Sequence, residues 1–168
     1  MINLSLRQKL LVGVALMLLL IMTRGHNLLS VQALPSASWV VFFLAGIYLS
    51  SRWILLGLFA VVWLMDFSGY TWSNDSSFCL QSSYIFLLAS YSVYWLTGRL
   101  FAHAYRFQIQ TLIHLGLAGF LGGAIGYFIS SASFHFMSGR FAEPSWALMW
   151  NRYLERLPSN FENLFFYI

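Results

Sequence analysis

Long apolar runs broken by single charges leave this chain one solvent to fold in. Nine Lys and Arg and five Asp and Glu are spread through 168 residues, 8% of the chain, while 60% is hydrophobic. An ordinary soluble domain carries about 25% charged residues. A fold of this size with its outer face in water needs far more charge. An outer face in lipid instead calls for apolar side chains both inside and outside. At about 20 residues per span plus short loops, the length holds roughly five to seven transmembrane helices. The expected class is all-α: a polytopic membrane protein, one transmembrane domain over residues 1–168, built as a bundle of about six helices.

The net charge of +4 does not imply nucleic acid as a partner. Arg7, Lys9, Arg24, Arg52, Arg99, Arg106, Arg140, Arg152 and Arg156 stand singly, and no run offers the several phosphate contacts that such binding needs. They read as topology determinants in a bilayer. With the N-terminus inside, Arg7, Lys9, Arg52, Arg99 and Arg106 are cytoplasmic, following the positive-inside bias; Arg24 and Arg140 then fall outside. The single cysteine, Cys79, rules out an intrachain disulfide.

The first span is expected from Leu10 to Met22. It lacks a small-residue cleavage pattern and is read as retained. The second is expected from Pro35 to Ser51, with Pro35 suited to a first helical turn. The third, from Trp53 to Asp66, is short and either tilts little or extends onward. Phe67 to Ser83 is the most polar stretch, and Tyr70, Trp72 and Phe78 interleave its serines, Asn74 and Asp75; it reads as an ordered external loop. A fourth helix is expected from Tyr84 to Thr97, with Gly98, Arg99 and Arg106 flanking a cytoplasmic turn. A fifth follows from Thr111 to Ser131. Trp146 to Leu157 has helical spacing, and after Pro158 a further apolar helix starts at Phe161.

Several residues in this frame are suited to chemistry. Asp66, at the end of the third helix, is an ionisable group at membrane depth and so a functional candidate; the alternative is a cap on loop N–H groups. Cys79 sits in the polar loop, where a deprotonated thiol is a soft ligand for a polarisable metal; the alternative is a small apolar filler. Arg152 and Arg156 lie among Trp146, Trp150 and Tyr153 and read as interfacial anchors, or as arginines that close over a ligand's phosphate or carbonyl groups. Gly119/Gly123 and Gly122/Gly126 are GxxxG pairs on the fifth helix, suited to close helix packing or to a docking face. Of His26, His103, His114 and His135, only His114 falls inside an expected span. No zinc-type Cys/His cluster, phosphate-binding glycine loop or nucleophile elbow is present.

A bundle of this length, with Asp66 closing the third helix, Cys79 in an outward loop and Tyr84 opening the fourth, resembles the BtuM-type cobalamin transporters. These are small bacterial membrane proteins related to the substrate-binding S components of energy-coupling factor transporters. The resemblance implies a multi-pass protein of the bacterial cytoplasmic (inner) membrane that binds cobalamin or a related corrinoid. Cys79 would ligate cobalt and promote loss of cyanide from cyanocobalamin, with Asp66, Tyr84, Tyr70, Trp72 and Arg152 shaping the site. An energy-coupling factor ATPase and transmembrane module is an implied partner. One departure is that Gly13 and Ala15 on the first helix lack the small-xxx-small spacing many S components use for docking. A thiolate trans to cyanide would donate electron density to cobalt and weaken the bond to the leaving group, with a second thiol or a reductant completing its removal. Two other classes stay open: a membrane thiol or redox enzyme built on Cys79, and an assembly subunit that docks through the fifth-helix glycines.

Overall fold

The computed structural model describes residues 5–24, 37–49, 51–73, 83–105, 108–139, 141 and 144–167, and for 68–73, 83 and 163–167 the backbone alone. Among these residues the chain is all-helical: α1 Leu6–Thr23, α2 Ser38–Tyr48, α3 Arg52–Ser73, α4 Ser83–Ala104, α5 Gln110–Met137 and α6 Trp146–Tyr167. Three of them, α1, α4 and α5, are long and apolar enough to cross a membrane. Their outer surfaces carry Leu10, Leu11, Val14 and Leu18 on α1, Leu96 and Leu100 on α4, and Leu112, Ile113, Leu117 and Leu121 on α5, all exposed. So much exposed hydrocarbon on one fold marks a surface made for an apolar environment.

Local sequence sets where the first helix starts. Ser5 and Gln8 form a reciprocal capping box at α1: the Ser5 hydroxyl accepts from the Gln8 N–H, and the Gln8 amide oxygen accepts from the Ser5 N–H at 2.9 Å. Two N–H groups that the helix cannot satisfy are thereby paired. At its other end, the Thr23 hydroxyl donates to the Leu19 carbonyl and accepts from the Ala37 N–H at 3.2 Å. That second bond ties the end of α1 to the start of α2.

The core is built around α2 and α4. α2 has 11 residues, about 16 Å of helix, about half of a hydrocarbon core. It compensates by being enclosed: Val40, Val41, Phe42, Phe43 and Ala45 are all buried. α2 and α4 run parallel, since Phe42 stacks on Tyr91 at 4.5 Å while Gly46, one turn on, meets Trp95. Two glycines permit the approach. A Cβ on Gly46 would collide with the Trp95 carbonyl, and a Cβ on Gly98 with the Phe43 carbonyl. α4 and α5 run antiparallel. Ser90 donates to the Gly126 carbonyl at 2.6 Å, and Tyr94, one turn later, donates to the Gly123 carbonyl at 3.3 Å. The glycine stripe of α5 is therefore occupied within the chain: Gly119, Gly122, Gly123 and Gly126 are buried, with Thr97 and Tyr94 of α4 against Gly122 and Gly126. α6 packs antiparallel on α5, as Tyr153 donates to the Ala124 carbonyl and Phe161 stacks on Phe120.

Several expected boundaries differ from the structure. α3 does not stop at Asp66 but takes the onward extension that its short apolar run left open, to Ser73, so Asp66 is a mid-helix residue and the first part of the expected loop is helical. Small and aromatic residues such as Gly69, Tyr70 and Trp72 do not break a helix, and the polar composition had masked that. Gly98 and Arg99 lie inside α4 rather than at a turn, because Gly98 is needed for the contact with α2. α5 extends past the expected end at Ser131 to Met137 and so contains His135. Pro158 lies inside one continuous α6 rather than dividing two helices; the ring removes one donor without ending the helix. Pro35, His26, Arg106 and Arg140 lie outside the described residues.

Candidate functional site

The second half of α3 and the first half of α4 meet the end of α1 and the start of α2 around one guanidinium. Arg24 directly follows α1, and its own N–H closes the helix on the Leu20 carbonyl at 3.0 Å. That cap turns its side chain into the bundle, where the residue is 9% exposed. Its Nε donates to Asp66 Oδ1 at 2.9 Å and its Nη2 to Asp66 Oδ2 at 2.6 Å. Nη1 donates to Ser38 Oγ at 2.9 Å and to Tyr91 Oη at 2.6 Å. The Tyr84 hydroxyl donates to Asp66 Oδ2 at 3.1 Å. Four helices thus share one network, and Arg24–Asp66 is the only salt bridge among the described residues.

The physical logic is that of a charge that cannot be left alone. A guanidinium presents five N–H donors in a rigid fork, and a carboxylate in a low-dielectric site needs a fixed countercharge and further donors. The Asp66 side chain keeps 20% of its surface exposed, against 10% for Arg24. The carboxylate is therefore the more accessible member, held from behind by Arg24 and from the side by Tyr84. One edge remains open for a polar ligand group.

Of the residues singled out from sequence, Asp66 and Tyr84 are brought together directly. Tyr70 and Trp72 are placed on the last turns of α3 in backbone only. Cys79 lies outside the described residues; it belongs to the stretch that leaves α3 after Ser73 and enters α4 at Ser83, the two helices that Tyr84 and Asp66 pin to each other. Arg152 lies on α6, with its guanidinium 4.4 Å from the centre of the Phe141 ring. It lines a cavity apart from the Arg24–Asp66 network, with His135 and Arg156.

Arg24 is the residue that sequence reasoning missed. Standing after an apolar run, it read as an external topology charge. Its partner is 42 positions away, beyond any local spacing rule. A signal was available in the charge pattern: an aspartate in an apolar run calls for a basic partner, and Arg24 is one of the nine Lys and Arg of the chain.

No family model matches this chain, and a search of curated proteins returns no match.

Proposed function

We propose that this chain is a multi-pass protein of a bacterial cytoplasmic membrane that binds and transports cobalamin or a related corrinoid, with Cys79 as the cobalt ligand. The observation that carries the reading is the Tyr84–Asp66 hydrogen bond backed by Arg24. It joins the two helices that the Cys79 segment connects in sequence and leaves the Asp66 carboxylate partly exposed. A corrinoid is broad and flat, with neutral amide arms, so it needs hydrogen-bonding groups and aromatic walls more than charge. The sequence between α3 and α4 holds three Ser, one Asn, one Gln and Phe78, and Tyr70 and Trp72 precede it on the last turns of α3. A carboxylate whose charge is already balanced by Arg24 accepts amide N–H groups without demanding a cation.

In this reading all six helices sit in the bilayer. α2, too short to span alone, is wrapped by its neighbours. The glycine face of α5 is filled by α4, which weighs against an assembly subunit that docks through it. An energy-coupling factor module is the partner class this reading carries, and it would engage another surface.

The test is equilibrium binding of cyanocobalamin to purified full-length protein, read as cobalt bound per chain, for wild type, Asp66→Asn and Tyr84→Phe. The proposal expects a ratio near one for wild type, with weaker binding in both variants. No cobalt retained by folded wild-type protein would sink it.

A further inference from the structure

On the α5–α6 side of the bundle, a second polar site is assembled around a histidine with nothing to bind. His135 is 3% exposed, and its Nε2 is buried with no hydrogen-bond partner among the described residues. Phe136 meets the ring edge-on and Phe141 lies 4.5 Å from its centre, so the imidazole is held in place. A buried polar nitrogen without a partner costs about 1–3 kcal/mol, and folded proteins seldom leave one unpaired. His135 lines a cavity of about 80 Å³ together with Tyr127, Ser131, Arg152 and Arg156. An adjoining cavity of about 160 Å³ shares Tyr127, Ser131 and Arg156 and adds Ser130 and Ser133.

The charges point one way. Arg152 and Arg156 are one helical turn apart on α6, so both guanidiniums reach the same cavity. Among the described residues neither has a carboxylate within ion-pair distance. Two guanidiniums and an imidazole at one cavity, with serine hydroxyls beside them, form a set of donors with excess positive charge. A planar carboxylate can accept from several donors but offers its oxygens in one plane only. A tetrahedral oxyanion is not confined to one plane, and arginine forks match its geometry.

We propose that the cavity between α5 and α6 binds a phosphate-class oxyanion, held by Arg156, Arg152 and the Nε2 of His135. Phe141 lines the same cavity and lies against both His135 and Arg152. The phosphate could be the headgroup of a phospholipid reaching in from the bilayer or a phosphate in aqueous solution. The inference does not depend on the corrinoid reading.

The experiment uses the full chain, purified in a neutral glycoside detergent from cells grown without corrinoid, and follows thermal unfolding by tryptophan fluorescence. One arm titrates inorganic phosphate against chloride at matched ionic strength. The other dopes the micelles with short-chain phosphatidylglycerol against diacylglycerol of the same chain length. Wild type is compared with Arg156→Gln, His135→Phe and, as a charge-matched control far from the site, Arg7→Gln. The expected result is a rise in Tm in at least one arm. Its half-maximal concentration should increase at least tenfold in Arg156→Gln and His135→Phe and stay unchanged in Arg7→Gln. A response to inorganic phosphate assigns an aqueous source, and a response to phosphatidylglycerol alone assigns the headgroup. No rise in either arm, or a rise that Arg156→Gln leaves intact, overturns the proposal. Arg156 is exposed, so that variant carries the test even if His135→Phe fails to fold.

Discussion

Arg24 and Asp66 meet in a two-point ion pair across 42 positions of sequence, Nε to Oδ1 at 2.9 Å and Nη2 to Oδ2 at 2.6 Å. The pair joins the end of α1 to the middle of α3 inside a bundle that has no other ion pair among its described residues. Breaking it from one side leaves a charge stranded at low dielectric. Arg24→Met should therefore destabilise the protein by about 3–5 kcal/mol. The double variant Arg24→Met/Asp66→Leu should recover part of that loss, because it strands nothing. A double-mutant cycle on detergent-solubilised protein checks this. Strictly additive effects would mean that the two side chains do not depend on each other.

Tyr84 donates a hydrogen bond to the same carboxylate. Tyr84→Phe keeps the ring, which is buried, and removes the hydroxyl that donates it. The expected cost is about 1 kcal/mol in stability. Under the corrinoid reading, affinity should fall by roughly tenfold, equivalent to about 1.4 kcal/mol. Titration calorimetry with cyanocobalamin and a denaturation curve separate the two effects.

The crossing of α2 and α4 makes a prediction that needs no ligand. Gly46→Ala or Gly98→Ala places a methyl against a backbone carbonyl that cannot rotate away, so the helices must separate. A loss of about 1–3 kcal/mol is expected, with larger losses if the enclosed α2 is expelled. Gly57→Ala and Gly116→Ala meet nothing within 4 Å. They should be neutral or slightly stabilising, since alanine is the better helix former by up to about 1 kcal/mol. Equal effects at all four positions would contradict the close approach.

The single cysteine allows a direct test of orientation. If, as proposed, the N-terminus is cytoplasmic and α1, α2 and α3 each cross the bilayer, Cys79 is expected on the external side and should react with a membrane-impermeant maleimide in intact spheroplasts. Labelling only after permeabilisation would invert the topology.

The sequence made the helical class legible, because apolar run length and the scarcity of charge act locally and everywhere. It was weaker at helix ends. α3 passes through Asp66 because the aspartate is paired inside the bundle rather than solvated at its edge. α6 passes through Pro158, and α4 through Gly98, where a tertiary contact uses the glycine. Asp66 was visible as a candidate because an ionisable group in an apolar run stands out, and Tyr84 entered only through the family resemblance. Arg24 and His135 were not visible in either way. Arg24 acts through a distant partner, and His135 stands out only once α5 is seen to continue past Ser131 and bury it.

The central claim is that Cys79 binds the cobalt of a corrinoid, and the absorption spectrum of purified protein expressed with cyanocobalamin, beside Cys79→Ala, tests it most directly. The account predicts a coloured wild-type protein whose corrinoid bands are displaced from those of free cyanocobalamin, with the displacement lost in Cys79→Ala. A colourless wild-type protein, or identical displaced bands in both proteins, would contradict it.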